Sequence, residues 1–223
     1  MPLTAVLPPE VVTTNGSPLV QAALALWRDG GYHRHGLADL AAHAGADVLT
    51  YPCKEALTVD LWRALNHETW SQIDELSPSH MAQRFGQTLS AKLAQLSPYR
   101  AALAALYAHS ATDESSPWRP PHGLSDPMLD VYRQVVIRST DLPSKPEEVE
   151  QLATLFYGLQ HFVVLFWLYD RTQGQRATHM LADFLQEAVR IMRPMMMMPI
   201  FSKALAKVAE LLQIAFSEPH ASD

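Results

Sequence analysis

The sequence predicts an all-α protein, with a small N-terminal three-helix unit followed by a larger helical body. Apolar residues recur at three- and four-residue spacing through most of the chain, the signature of helices with one buried face. No alternating apolar–polar run or hairpin turn stands out. Glycine, proline and serine fall at the joints between the periodic stretches. With 223 residues, 48% of them hydrophobic, the chain can bury a substantial core in one or two domains. A mean hydropathy of −0.05 fits a globular protein rather than a disordered one.

The opening segment, residues 1–18, reads as a proline-containing flexible arm. Leu19, Ala23, Leu26 and Trp27 then form one face of a first helix, which Asp29-Gly30-Gly31 stops because glycine tolerates the left-handed backbone common past a helix end. Leu37, Leu40 and Ala41 mark a short second helix ending at Gly45. After the brief stretch Ala46 to Pro52, a long pattern runs from Lys54 to about Leu76. The tripeptide Leu-Ser-Pro occurs at 76–78 and again at 96–98, where Ser77 and Ser97 can cap and Pro78 and Pro98 suit a first helical position. Helices over about 78–96 and 98–111 follow from that punctuation.

Pro117, Pro120, Pro121 and Gly123 make Thr112 to Ser125 a loop. The next helix, about 127–140, carries Met128, Val131, Tyr132, Val135 and Val136 on one stripe. Ser144 is the expected cap of a long helix over 145–171, and Gln175 to Arg193 forms another. A last helix, Ile200 to Phe216, would turn Phe201, Leu205, Val208 and Leu212 inward and Lys203, Lys207 and Glu210 to water. Met195–Met198 reads as filling a loop or a core gap.

Charge and composition exclude several functions. A net charge of −6 provides no general attraction to polyanions, so any nucleic-acid contact needs a local basic patch. Arg190, Arg193, Lys203 and Lys207 form the one basic cluster, read as a solvated face. The single cysteine, Cys53, rules out an intrachain disulfide and fits a reducing compartment. The first eighteen residues hold no Lys or Arg, and Pro8 and Pro9 interrupt their apolar run, so the expected location is cytoplasmic. Leu152 to Tyr169 has the length of a membrane span and no charge. Gly158, Gln160 and His161 in its middle favour a buried core helix, and no membrane association is expected. No G-x-S-x-G, H-E-x-x-H or phosphate-binding glycine loop is present, and His67-Glu68 lacks a second histidine. Neither enzymatic activity nor a cofactor is expected. His33, His35 and His43 lack the further ligands of a structural metal site.

The N-terminal unit, residues 19–57, supports a closer comparison. Ala22-Ala23-Leu24-Ala25-Leu26-Trp27, Gly31-Tyr32, Leu37-Ala38-Asp39-Leu40-Ala41, Ala44-Gly45 and Tyr51-Pro52-Cys53-Lys54-Glu55-Ala56-Leu57 occur in that order. This succession resembles the TetR family of one-component regulators. The resemblance implies a helix-turn-helix whose third helix enters the major groove, with Thr50, Tyr51 and Lys54 at positions that touch phosphates. It also implies a body, residues 58–223, that holds an effector and pairs with a second copy through its last two long helices. Phe162 to Arg171 followed by Gly174-Gln175 looks like the corresponding region.

Departures from the pattern bear on DNA. Gly45 and Lys54 stand nine residues apart, against about thirteen in the family, so roughly one helical turn is missing from the third helix. Ala46 to Tyr51 contains no Lys or Arg, and Asp47 is placed to cap the shortened helix. Across residues 1–57, Arg28, Arg34 and Lys54 face Glu10, Asp29, Asp39, Asp47 and Glu55, leaving this unit net negative. DNA affinity rests largely on neutralising phosphates, so so few cations predict weak binding. Two functions therefore stay open. One is a ligand-responsive transcriptional regulator that binds operator DNA as a dimer. The other is a relative that binds a small molecule or protein partner without recognising specific DNA.

Spacing in the body gives the candidate sites. On 145–171, Val149, Leu152, Ala153, Phe156, Val163 and Phe166 form one stripe, while Gly158, His161, Phe162, Leu165 and Leu168 form another. A helix apolar on two faces is covered twice. Ala177, Met180, Leu181, Phe184, Ala188 and Ile191 supply a matching stripe on the next helix. A homodimer interface through Gly158, Phe162, Leu165, Phe184 and Ala188 satisfies both, since self-complementary patches close under two-fold symmetry. Tyr107, His109, Trp118, Tyr132 and His161, with Tyr99, offer aromatic walls with polar tips for an apolar small-molecule effector.

Overall fold

A computed structural model describes residues 17–74, 79–112, 127–195, 203–204 and 206–211. Among these residues every regular element is helical and none is a strand, so the chain is all-α. The elements are α1 (Pro18–Leu26), α2 (Leu37–Ala44), α3 (Lys54–Asp74), α4 (Met81–Leu96), α5 (Arg100–Thr112), α6 (Pro127–Ile137), α7 (Pro146–Tyr169) and α8 (Arg176–Met195).

The N-terminal corner forms as its glycines dictate. Past α1 the chain enters a 3-10 turn, Arg28–His33, in which Asp29 and Gly30 adopt left-handed backbone (φ +50° and +83°). Gly31 matters for a different reason: a β-carbon there would lie 1.8 Å from the Leu26 carbonyl oxygen, so only glycine lets the turn fold back on α1. Trp27 is fully buried beneath this corner, donating its indole N–H to the His35 carbonyl (3.2 Å), with Tyr32 edge-on at 5.0 Å. Asp39 reaches back to the Gly36 amide (2.7 Å), supplying half a capping box where no serine or threonine stands. Gly45, left-handed at φ +61°, ends α2.

The third helix of this unit is a single 3-10 turn, Val48–Thr50. Asp47 caps it through the Leu49 amide (2.9 Å). The nine-residue step from Gly45 to Lys54 holds this single turn and no longer helix.

Several boundaries in the body differ from their expected places, each for a local reason. Ser97 does not cap α5; it continues the α4 backbone into the 3-10 turn Ser97–Tyr99, with Pro98 in its first turn. Ser77 lies outside the described residues. Helix α6 stops at Ile137 because Ser139 folds back, its hydroxyl donating to the Val136 carbonyl (2.7 Å). The N-cap of α7 is Lys145, not Ser144, and no side chain bonds there. At its far end α7 stops at Tyr169, where Asp170 turns extended and binds the start of α8.

The body is built around α3 to α7, and α8 packs on α4 and α7. Helix α8 approaches α4 closely at Gly86, where a β-carbon would meet the Gln186 side chain. Tyr99 ties the N-terminal unit to the body by donating to the Leu24 carbonyl of α1 (3.0 Å). Its neighbour Arg100 donates to the carbonyls of Trp167 (2.8 Å), Leu168 (3.1 Å) and Asp170, which close α7. Helix α7 passes the length and composition test for a membrane span, but 56% of its apolar window is buried in the fold.

Of the last helix, residues 203–204 and 206–211 are helical. Ala209 is buried there, whereas Val208, expected to face inward, is 41% exposed. Phe201, Leu205 and Leu212 lie outside the described residues.

Candidate functional site

Three places bear on function: the surface of the N-terminal unit, an outer face of α7 and α8, and the polar interior of the body.

In the N-terminal unit the three residues expected at DNA phosphates are differently placed. Thr50 is exposed, its hydroxyl donating to the Asp47 carbonyl (2.8 Å). Tyr51 is half-buried and donates to Asp60 (2.7 Å); burial, then that carboxylate bond, push its hydroxyl up to about 12. Lys54 points into its own fold: the ammonium donates to the Tyr32 carbonyl and lies 4.0 Å from the Tyr32 ring and 5.4 Å from that of Trp27. Desolvation holds its pKa below that of an ordinary lysine. Tyr32 in turn donates to Glu55 (3.2 Å). Lys54 is thus engaged within the unit and Tyr51 with Asp60 just beyond it, while Arg28 and Arg34 are exposed beside the glycine corner. Leu49, at the tip of the 3-10 turn, is 83% exposed.

The residues expected at a dimer interface, with their neighbours on α7 and α8, include several exposed apolar side chains on the single chain. Phe162, Leu165, Phe166 and Tyr169 of α7 and Met180, Phe184 and Ile191 of α8 are exposed, with Gly158 and Ala188 half-buried between them. Phe162 is 52% exposed and Phe184 66%, high exposure for two phenylalanines on neighbouring helices. The stripes differ from expectation in three members: Phe166 belongs to the outer face, while His161 and Leu168 belong to the inner one. The inner stripe of α8 is Thr178, Ala182, Leu185 and Val189. Of the basic residues grouped from the sequence, Arg190 pairs with Glu187 and Lys207 with Glu210, Lys203 is exposed, and the Arg193 side chain lies outside the described residues.

Inside the body, Tyr107, Tyr132 and His161 are buried and His109 is half-buried; Trp118 lies outside the described residues. His161 is engaged with its own helix, at 3.0 Å from the Tyr157 carbonyl and against the Tyr157 ring. Tyr99 serves the link to α1. Tyr132 stands apart from these. Its ring joins Phe85 (6.1 Å) and Phe156 (6.3 Å), which themselves lie 4.6 Å apart. Its hydroxyl has no hydrogen-bond partner, and complete burial raises its pKa.

Asn66 Oδ1, Thr88 Oγ1 and both amide atoms of Gln160 are among the other buried polar atoms that share that condition, and none was a candidate ligand-site residue from the sequence. Each residue is at most 5% exposed. A helical threonine ordinarily bonds the carbonyl four residues back, as Thr58 and Thr154 do here (2.8 and 2.9 Å); Thr88 does not. Buried groups left without a partner cost about 1–3 kcal/mol each, so several of them in one core are unusual for a core that serves stability alone. Thr88 falls on the Phe85–Leu89–Lys92 stripe and Gln160 one turn after Phe156; helical register was the signal that would have found them.

Lys92 is also fully buried, over the Trp62 ring at 5.3 Å and 3.4 Å from Gln95. Among the described residues no group of three or more His, Cys, Asp or Glu side chains is placed to hold a metal ion. Neither family models nor curated proteins yield a match to this chain.

Proposed function

We propose that the chain is a cytoplasmic, ligand-responsive transcriptional regulator of the TetR type, acting as a homodimer and free of membrane and cofactor. The observation that carries this reading is the N-terminal unit. Helices α1 and α2 pack across a glycine corner, a capped turn follows, and Tyr99 ties this corner to the rest of the helical fold. A small-molecule sensor alone needs no such appendage. The apolar face of α7 and α8 supports pairing, because two copies related by a two-fold axis cover each other's aromatics and hold two N-terminal units at fixed spacing. Adjacent residues Tyr99 and Arg100 join α1 to the end of α7, so a ligand that shifts the body also shifts the N-terminal units.

A second reading is favoured by the turn at Val48–Thr50. Three residues cannot fill a major groove, Lys54 bonds to the Tyr32 carbonyl and Tyr51 to Asp60, and Leu49 presents an apolar tip. On this reading the protein senses a ligand and uses the N-terminal unit to hold a protein partner. Titration of the protein with DNA from upstream of its own coding region, at several salt concentrations, separates the two. Sequence-selective binding that weakens steeply with salt supports regulation through DNA; affinity no better than for random DNA removes it.

A further inference from the structure

Four of the partnerless polar side chains, Asn66, Thr88, Tyr132 and Gln160, fall at one level of the body by the directions of their helices. Lys92 meets Trp62 well away from the joint between α3 and α4, so these helices run antiparallel. One turn nearer the joint on each stand Asn66 and Thr88. Helices α4 and α7 run parallel. The Met81 amide at the start of α4 donates to Asp141, just ahead of α7 (2.7 Å), and Arg100 just beyond α4 binds the end of α7. From the Phe85–Phe156 contact, one turn onward in that common direction brings Thr88 on α4 and Gln160 on α7. Tyr132 abuts the same ring pair from α6.

We propose that Asn66, Thr88, Tyr132 and Gln160 form the hydrogen-bonding wall of a ligand site, and that the ligand is a neutral, ring-bearing molecule carrying hydroxyl and carbonyl groups. This deepens the ligand-sensing half of the function proposed above and does not depend on DNA binding. The class follows from the inventory of groups. Asn66 Oδ1 requires a donor, the Gln160 amide offers both a donor and an acceptor, and the two hydroxyls serve as either. None carries charge, and burial keeps the Tyr132 phenol protonated. Phe85, Phe156 and Trp62 supply flat apolar surfaces beside them. The sequence alone suggested a largely apolar effector; these groups call for one that also satisfies several hydrogen bonds. Lys92, one turn further along α4, is occupied by Trp62 and Gln95.

The test uses the full chain and three matched probes: 4,4′-dihydroxybenzophenone, the anionic 4-benzoylbenzoate and the apolar diphenylmethane, followed by calorimetry and melting temperature. The dihydroxy compound is expected to bind at least tenfold more tightly than either of the others. T88V/Y132F, which conserves volume, is expected to weaken that binding at least tenfold while leaving the free protein's melting temperature equal or higher, because it removes partnerless polar atoms from the interior. Q160L is expected to behave likewise, and T88V/Y132F carries the test should Q160L fail to fold. The proposal is overturned if diphenylmethane binds as well as the dihydroxy compound, if 4-benzoylbenzoate binds best and so assigns the site to Lys92, or if T88V/Y132F binds like the wild type. Any of these leaves the DNA titration standing on its own, and loss of DNA binding leaves this result standing.

Discussion

Asp170 accepts four hydrogen bonds, from the hydroxyl (2.7 Å) and amide (2.8 Å) of Thr172 and from the hydroxyl (2.7 Å) and amide (2.9 Å) of Thr178. Together they lock the corner between α7 and α8. The Thr172 hydroxyl, with the other three donors, holds the carboxyl well below the usual carboxylate range. A depressed folded value stabilises the protein above the unfolded value of about 4, and that stabilisation is lost as pH falls toward the folded value. D170N is therefore expected to melt several degrees below the wild type at pH 7, with the gap closing in melts below about pH 3; a gap independent of pH would refute the carboxylate's role. Lys54 provides a second test at this scale. K54A is expected to cost about 1 kcal/mol in denaturant unfolding followed by circular dichroism, since the ammonium sits on two aromatic rings. The slope of log affinity against log salt for DNA should stay nearly unchanged. Lysine type and motif position suggested an outward contact, and only the corner's folded path brings the Tyr32 carbonyl within reach. The side chains of Asn66, Thr88 and Gln160 were legible as polar residues in apolar stripes, but their lack of partners depends on neighbours from other helices.

At the level of elements, the corner between α1 and α2 rests on two glycines that fail differently when replaced. G31A places a methyl against the Leu26 carbonyl, a backbone atom that cannot move aside, and is expected to cost about 2 kcal/mol or more. G30A meets no atom within 4 Å and bears only the strain of φ +83°, about 1 kcal/mol. Chemical denaturation of the two variants should rank them in that order; equal costs would contradict the geometry. Y99F removes the bond from the body to α1 and is expected to cost about 1 kcal/mol while loosening the N-terminal unit, read as faster amide exchange in α1. Helix existence was legible throughout because apolar residues at three- and four-residue spacing record the buried face. Ends were less so: Ser144 and Ser97 have capping chemistry, yet Lys145 and the continuing backbone at Ser97 occupy those places. The shortened third element was visible as a missing turn in the spacing, while its collapse to 3-10 geometry required the three-dimensional path from Gly45 to Lys54.

For the whole molecule, α7 has two apolar faces with different fates. One packs against α4, α5 and α6. The other, continued by α8, leaves Phe162, Leu165, Phe166, Tyr169, Met180, Phe184 and Ile191 exposed on a single chain. Sequence periodicity identified both faces, and the near-equal hydrophobicity of the two stripes explains why Phe166, His161 and Leu168 were assigned to the wrong ones. Two N-terminal units each holding few outward cations bind DNA usefully only when joined, so the functional proposal stands or falls with pairing. The most direct measurement is the mass in solution by sedimentation at micromolar protein. The wild type is expected at twice the 24.9 kDa of one chain, and F162E/F184E, which buries two charges in each copy of the interface, at the single-chain mass with its helical content retained. A wild-type protein that sediments as a monomer at that concentration, or a double variant that remains dimeric, contradicts the account.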